Sequence, residues 1–283
     1  MIRFAIVNGD DFGLSPGINN GIIEAYQEGI LTSASLMATG EAFEDAVALA
    51  RGNPGLSLGV HLTLVEGTPV LPPEKIPSLV TLEGHFFGSL GTFCTRWLSG
   101  RIRPREVQRE LEAQVEKAMD GGIKVDKLDS HMHLHLLPGL FQIVLELARQ
   151  YQIAALRCPK ERLVGRGTFP GLVGLWRRAI LTSLAIPRAH RIAMAGLFYP
   201  EHFSGVAESG RLTEDDLLRI LQQLRPGVTE VMVHPGYHDR VLDAWPQSRR
   251  YAREQEVRAL TSPKVKALVR DLRIRLVSYR TVL

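Results

Sequence analysis

Cysteine is scarce in this chain, and its scarcity narrows the classes of protein to which the chain can belong. The 283 residues include only Cys94 and Cys158, and neither stands in a CxxC pair. A disulfide framework or a thiolate metal site needs more cysteines at closer spacing. The sequence therefore favours neither, and we expect a protein that works in the reducing cytoplasm.

Long apolar runs and a strong charge bias are also missing. No stretch reaches the roughly 20 consecutive apolar residues that cross a bilayer. The opening MIRFAIVNGD resembles a core strand and not a signal peptide. With 34 basic and 30 acidic residues the net charge is only +4, and no basic run is interleaved with aromatics. We therefore expect no nucleic-acid partner, although contact with an anionic surface stays open.

What the chain does have is a regular alternation of strand-like and helical patterns. With 45% hydrophobic residues among 283, it can bury a sizeable core, and we favour one α/β domain over residues 1–283. The alternation predicts a distorted, TIM-like (β/α) barrel of seven or eight strands, with an open doubly wound sheet as the alternative. The predicted strands are 3–7, 33–38, 56–64, 125–129, 154–157, 230–233 and 273–277, with an eighth near 192–197.

Chemically versatile side chains stand where the predicted strands end. Both candidate layouts place ligand sites at the carboxyl ends of parallel strands, so these side chains are expected to lie together. The set consists of Asp10 and Asp11, His61, the triplet His131, His133 and His135, Arg157, and His234.

Two patterns within this set indicate a cation. Adjacent carboxylates such as Asp10 and Asp11 repel each other and are costly to bury unless a cation or a proton relieves them. His131, His133 and His135 alternate, so an extended segment would project all three to one face. Imidazole and carboxylate ligands without cysteine suit one divalent ion, either Zn, Mn, Co or Ni, or Mg if waters complete its shell. A catalytic ion usually takes three protein ligands, so candidates outnumber places.

Four ordered motifs carry a resemblance to a known family. VNGDDFGLSPGINNGI, GVHLTL, LDSHMHLH and VHPGY resemble the successive motifs of the YdjC-like carbohydrate deacetylases, to which the chitooligosaccharide deacetylases belong. The resemblance implies a distorted barrel related to the polysaccharide deacetylases, which removes N-acetyl groups from sugars with a divalent metal. It also implies that Asp11, His61 and His131 are the metal ligands.

Roles for the remaining residues follow from this assignment. If Asp11 binds the cation, Asp10 can stay ionised beside it and act as general base, while His234 is the candidate general acid for the leaving amine. Arg157 could hold Asp10 charged, as an arginine does in the related polysaccharide deacetylases, or could be a plain surface residue. Second-shell or substrate-binding positions are expected for His133, His135 and Tyr237.

The substrate is suggested by two further segments. Aromatic residues make up 7% of the chain, which is modest for a chitooligosaccharide groove. Residues 172–198 are apolar with embedded arginines, which indicates either a barrel helix and the following strand or a face that rests on a membrane. HFSGVAESGRLTEDDLLRIL resembles the hopanoid-biosynthesis branch of the same family. That resemblance implies an N-acetylglucosamine-bearing hopanoid lipid as substrate.

Three other functions stay open at this point. A soluble chitooligosaccharide deacetylase would use the same chemistry on a free sugar. A metal-dependent phosphoesterase could use the same ligands, with the ion polarising a phosphoryl oxygen. A non-catalytic barrel that binds a glycolipid would need none of the acid or base candidates. The sequence does not name the metal ion or the oligomeric state.

Overall fold

The computed structural model describes residues 2–161, 171–245 and 250–283, and within them strands and helices alternate. The strands are β1 Arg3–Phe12, β2 Ser33–Leu36, β3 Ser57–Leu62, β4 Val125–Ser130, β5 His202–Ser204, β6 Gly227–Val233 and β7 Arg275–Leu276. The helices are α1 Pro16–Gln27, α2 Phe43–Gly52, α3 Leu90–Leu98, α4 Pro104–Asp120, α5 Leu140–Gln150, α6 Gly171–Met194, α7 Glu214–Gln222, α8 Arg253–Thr261, α9 Pro263–Asp271 and α10 Tyr279–Val282. Short 3₁₀ turns cover Pro73–Lys75, His131–Leu136 and Arg240–Ala244.

The strands are parallel and curl around one core. Their order is β4-β3-β2-β1-β6-β5, with β7 paired to the start of β1. Single parallel bridges from Leu128 to Leu156, from Ala155 to Phe198 and from Glu161 to Phe203 lead from β4 around to β5. The distorted (β/α) barrel is therefore confirmed. No helix in the described parts of the chain is both long enough and apolar enough to span a bilayer.

Two strand predictions need correction, and one strand was missed. Segment 154–157 forms only isolated bridges at Ala155 and Leu156, and no regular strand. The eighth strand near 192–197 is wrong, because α6 continues to Met194 and the bridging residue is Phe198. A short apolar run fits the end of a buried helix as well as a strand, which explains the error. The strand on this side of the barrel is β5, which the sequence pattern did not predict.

Strand β1 is longer than predicted, and its end is distorted. It runs to Phe12, so the two adjacent acids lie inside the strand. Pairing with β2 slips between Gly9 and Phe12, and Asp11 adopts the left-handed conformation with φ 69°. Such an irregularity re-aims side chains at the end of a strand. It explains why the neighbouring carboxylates of Asp10 and Asp11 contact different partners.

Two glycines of the first motif seat α1 against the last motif. Ser15 caps α1, accepting a hydrogen bond from the backbone of Ile18. A Cβ at Gly17 would lie 2.2 Å from the carbonyl oxygen of Tyr237, and one at Gly21 would lie 2.4 Å from Cα of Gly236. Only glycine permits this approach, so the spacing of the glycines on α1 fixes the VHPGY segment beside the end of β1.

Candidate active site

Two of the predicted histidines approach the same carboxylate oxygen of Asp11. Oδ1 of Asp11 lies 3.7 Å from Nε2 of His61 and 3.5 Å from Nδ1 of His131. The candidate ligand atoms of these three residues all lie within 4.8 Å of one another, and all three residues are buried. The structure thus brings together the carboxylate and the two imidazoles that the sequence predicted.

The histidine triplet does not form the extended segment that was predicted. His131–Leu136 is a 3₁₀ turn in which Met132 and His133 adopt left-handed φ angles of 54° and 56°. The three rings therefore do not share a face. His131 turns toward Asp11, whereas His135 contacts Ser130 Oγ at 2.6 Å and the carbonyl of Arg157 at 3.1 Å.

His133 is a buried histidine that packs against Phe203. Its ring meets the ring of Phe203 edge-on with centroids 6.2 Å apart, and its Nδ1 is buried without a hydrogen-bond partner in the described residues. Burial, with Arg157 and His135 nearby, holds the pKa of His133 well below its usual value. His133 is therefore a neutral imidazole with an unused ring nitrogen.

His61 is oriented by a residue that the sequence analysis missed. Parallel pairing of β3 and β4 sets His61 opposite Asp129, and Nδ1 of His61 lies 2.8 Å from Oδ1 of Asp129. Burial alone would raise the pKa of Asp129, but Arg157 and Lys127 hold it well below its usual value. As a carboxylate, Asp129 can only accept, so Nδ1 of His61 carries the proton and its Nε2 lone pair faces Asp11.

The second oxygen of Asp11 has a partner of its own. Nη2 of Arg253 donates to Oδ2 of Asp11 at 2.6 Å. Burial would raise the pKa of Asp11, but Arg253 and then His131 hold it well below its usual value. Arg253 is the first residue of α8, and no motif in the sequence signals its role. It keeps Asp11 ionised and leaves Oδ1 to face the histidines.

The donor set fits a divalent cation. One carboxylate and two imidazoles suit first-row divalent ions. Burial would lower the pKa of His131, but hydrogen bonding to Asp11 and Glu66 raises it to about 9. Asp11 and Glu66 thus favour a positive charge at this position, and a bound cation would take the place of the proton on His131. A second possible cluster is formed by Asp10, His61 and Asp129. Its carboxylates are already bonded to Arg157 and Lys127, so it is the poorer site.

Asp10 is held by Arg157. Nη1 and Nη2 of Arg157 donate to the two carboxylate oxygens at 2.6 Å each, and Asn8 Nδ2 donates at 2.8 Å. Burial would raise the pKa of Asp10, but Arg157 lowers it to about 2. Arg157 is fully buried and also pairs with Asp129 and Glu230. It is therefore not the surface arginine considered as an alternative.

His234 follows β6 and faces the two acids. Its backbone N–H donates to Glu256 at 2.6 Å, and its ring packs edge-on against Tyr251 with centroids 5.0 Å apart. Nδ1 is buried without a hydrogen-bond partner in the residues that the structure covers. Burial lowers the pKa of His234 to about 4 despite the charges of Asp10 and Asp11. His234 is therefore neutral near pH 7, with a nitrogen free to take a proton.

Tyr237 does not join this cluster through its hydroxyl group. The hydroxyl donates to Glu24 of α1 at 2.6 Å, and the backbone N–H donates to the carbonyl of Gly17 at 2.9 Å. Trp245, which the sequence analysis did not single out, stands closer to the ligands. Its ring meets that of His131 edge-on with centroids 6.4 Å apart.

The fold and the site define a parallel α/β barrel protein with an Asp-His-His cluster at the carboxyl ends of its strands. The family model described as YdjC-like protein matches residues 4–271, and the chain belongs to this family. It is 34% identical over 277 residues to a carbohydrate deacetylase of Brevibacillus brevis, covering 97% of each chain. It is 32% identical over 276 residues to a chitooligosaccharide deacetylase of Salmonella paratyphi B, covering 96% of each.

A solved structure gives the same architecture. The crystal structure of an Enterococcus faecalis protein, described there as a candidate for cellobiose-phosphate cleavage, matches with a TM-score of 0.78 and 29% identity. The match covers 100% of this chain and 99% of the other. The overall fold of this chain is therefore shared with that protein.

Proposed function

We propose that the protein is a metal-dependent carbohydrate deacetylase that removes the acetyl group from an N-acetylglucosamine unit. The observation that carries the proposal is the convergence of Asp11, His61 and His131 beside the separately held carboxylate of Asp10. The deacetylase names of the relatives from Brevibacillus brevis and Salmonella paratyphi B support the reaction class.

Different residues of the chain carry out separate steps of amide hydrolysis. An ion held by Asp11, His61 and His131 would supply polarisation of the acetyl carbonyl and a lower pKa for the attacking water. Asp10, kept ionised by Arg157, takes a proton from that water as its oxygen bonds to the acetyl carbon. Cleavage of the C–N bond then requires a proton on the nitrogen, and the products are acetate and the free amine.

His234 is the proposed donor of that proton, but it does not start with one. Because its pKa is lowered to about 4 by burial, it is neutral before the reaction. It must therefore accept a proton during turnover before it donates one to the departing amine. The proton that Asp10 removes from water is the available source, which makes Asp10 and His234 a relay and not two independent groups.

Release of acetate tests the reaction class. Purified protein loaded with Zn²⁺, Mn²⁺, Co²⁺, Ni²⁺ or Mg²⁺ is incubated with diacetylchitobiose and, in parallel, with sugar phosphates. We expect acetate and no phosphate, and we expect a chelator to abolish the release. Phosphate release without acetate would support the phosphoesterase instead, and binding of sugar without either product would support a non-catalytic barrel.

For the substrate, we propose an N-acetylglucosamine carried on a lipid, of the hopanoid kind. The support is an exposed apolar stripe on α6, where the exposed fraction of the side chain is 68% for Trp176, 55% for Ile180 and 75% for Met194. Exposed Arg177 lies beside it. An amphipathic face with aromatic and basic residues suits the headgroup region of an anionic bilayer.

Not every arginine of 172–198 belongs to this face. Arg178 is buried and pairs with Glu161 at 3.4 Å and with Glu208 at 3.7 Å, so it anchors α6 to the barrel. Arg188 and Arg191 both pack over the ring of Phe141, with guanidinium carbons 6.0 and 4.9 Å from the centroid. The surface available for membrane contact is therefore smaller than the whole of residues 172–198.

Assays with vesicles that carry the lipid-linked sugar distinguish this substrate from a free chitooligosaccharide. We expect binding to anionic liposomes that weakens with salt, because exposed charges are screened over about 8 Å at physiological ionic strength. We also expect faster deacetylation of the lipid-linked sugar than of diacetylchitobiose. The double variant Trp176→Ser, Ile180→Ser should lose both effects. Leu98→Ser, at an equally exposed position on α3, is the matched control. Efficient turnover of the free sugar with no vesicle effect would favour a soluble chitooligosaccharide substrate.

A further inference from the structure

Glu66 is a buried carboxylate on a strained turn just after β3. Its exposed fraction is only 3%, and its φ is 63°, in the left-handed region. Gly67 follows with φ 73°, and a Cβ there would lie 2.5 Å from the ring of Trp245. A non-glycine residue in this conformation and a buried carboxylate both cost free energy. Such costly features cluster at functional sites, where the surrounding structure fixes the side chain.

The contacts of Glu66 point to one partner. Its Oε2 lies 3.4 Å from Nε2 of His131, while Oε1 is buried without a hydrogen-bond partner in the described residues. A carboxylate that served only the turn would accept from nearby backbone N–H groups. Glu110 does so, accepting from the backbone of Val70 and Leu71 at 2.9 and 3.0 Å. Glu66 instead faces an imidazole of the Asp-His-His cluster.

The two histidines of the cluster direct different ring nitrogens toward Asp11. His61 has Nδ1 on Asp129 and Nε2 toward Asp11. His131 has Nε2 toward Glu66 and Nδ1 toward Asp11. A metal-ligating histidine usually donates its other ring N–H to a carboxylate, carbonyl or water, which fixes its tautomer and orientation. Asp129 meets that requirement for His61, and Glu66 is placed to meet it for His131.

We propose that Glu66 is a positioning residue that accepts the Nε2–H of His131 and so commits Nδ1 of His131 to the metal ion. The two histidines then bind the ion through different nitrogens, His61 through Nε2 and His131 through Nδ1. This inference rests on the proposed metal site, and it adds a residue for which no sequence motif was singled out.

Metal affinity is the first test, measured by chelator competition with Zn²⁺ and Mn²⁺ on the full-length protein. Loss of an outer-shell carboxylate typically lowers metal affinity by about 10–100-fold. We expect a loss of that size for Glu66→Ala and a smaller loss for Glu66→Gln, whose amide oxygen can still accept. Glu110→Gln, the matched buried glutamate, should keep wild-type affinity. Unchanged affinity in both Glu66 variants would overturn the proposal.

The tautomers are the second test, and they need no variant. In zinc-loaded protein with ¹⁵N-labelled histidine, we expect a proton on Nε2 of His131 and on Nδ1 of His61. Coordination of His131 through Nε2 would overturn the role of Glu66. Failure of the metal site itself has a different signature, because the wild-type protein would then bind no stoichiometric ion and Asp11→Ala would change nothing.

Discussion

Arg157 donates from its two terminal nitrogens to the two carboxylate oxygens of Asp10, at 2.6 Å each, although the residues are 147 positions apart in the chain. The same guanidinium lies 3.0 Å from Asp129 and 2.7 Å from Glu230. A planar, permanently charged fork matches a carboxylate in a way that a lysine ammonium group does not. The charge state of the proposed base is therefore set by a buried network and not by solvent.

Arg157→Lys should reduce activity while keeping a positive charge. The loss of one charge-assisted hydrogen bond of about 1.5–3 kcal/mol corresponds to roughly 10–100-fold in rate. The pKa of Asp10, now about 2 because of Arg157, should rise in the variant. The acidic limb of the pH–rate profile is then expected to move to higher pH. A profile that keeps its shape would show that Arg157 does not control the ionisation of Asp10.

Asp10→Asn should separate catalysis from metal binding. The variant removes the proposed base but leaves Asp11, His61 and His131 in place. A general base contributes roughly 10²–10⁴-fold in rate, so turnover should fall by that amount while the bound metal stays stoichiometric. Acetate release and metal analysis are measured on the same preparation. Activity within a few-fold of the wild type would remove Asp10 from the mechanism.

Single alanine variants of Asp11, His61 and His131 should each lose metal. Each variant removes one of the three proposed ligands. The other possible cluster, with Asp10 and Asp129, is a poor substitute because its carboxylates are already bonded to Arg157 and Lys127. Stoichiometry and affinity are measured after loading and dialysis. His85→Ala, at an exposed histidine outside the site, is the control. Any of the three variants that keeps full affinity identifies a residue that is not a ligand.

Gly21→Ala should destabilise the protein despite the better helix propensity of alanine. The new Cβ would lie 2.4 Å from Cα of Gly236, and overpacking of this kind costs about 1–3 kcal/mol, against a propensity gain of about 1 kcal/mol. Because Gly236 follows His234 closely, activity should fall as well. Gly52→Ala, in α2 with open space around it, should be neutral or stabilising in the same thermal melts. Equal melting temperatures for the two variants would contradict the packing argument.

Glu161 should make stability depend on pH. Burial raises its pKa from 4.5 to about 7, although Arg178 acts in the opposite direction. Between these values the folded state holds a proton that the unfolded state releases, so stability falls as pH rises and then levels off above about 7. The total is roughly 3 kcal/mol at 1.36 kcal/mol per pKa unit.

Glu161→Gln should flatten this slope in urea titrations between pH 5 and pH 8. The amide does not titrate, so the share of the loss that Glu161 causes should disappear, while the share of Glu256, whose pKa burial also raises to about 7, should remain. Exposed Glu146→Gln should keep the wild-type slope and serves as the control. A Gln variant with an unchanged slope would show that another group is responsible.

The sequence by itself determined the class of fold and most of the site. Local periodicity is enough to find parallel strands alternating with helices, and the strand ends then mark where ligand-binding side chains gather. Asp11, His61 and His131 do meet, as their positions at three strand ends predicted. The helix start at Ser15 also follows from short-range chemistry, because a cap depends only on neighbours in the chain.

The tertiary structure alone decided how these residues are supported and aimed. Arg253 reaches Asp11 across 242 positions of sequence, and no local pattern can encode that pairing. The 3₁₀ turn at His131–Leu136 overrides the extended geometry that alternating histidines suggest, because its left-handed residues are imposed by the surrounding barrel. The partners of His61 and His131, which are Asp129 and Glu66, come from strand register and from a strained turn. Long-range packing determines both of these partners, and the periodicity of the sequence does not predict them.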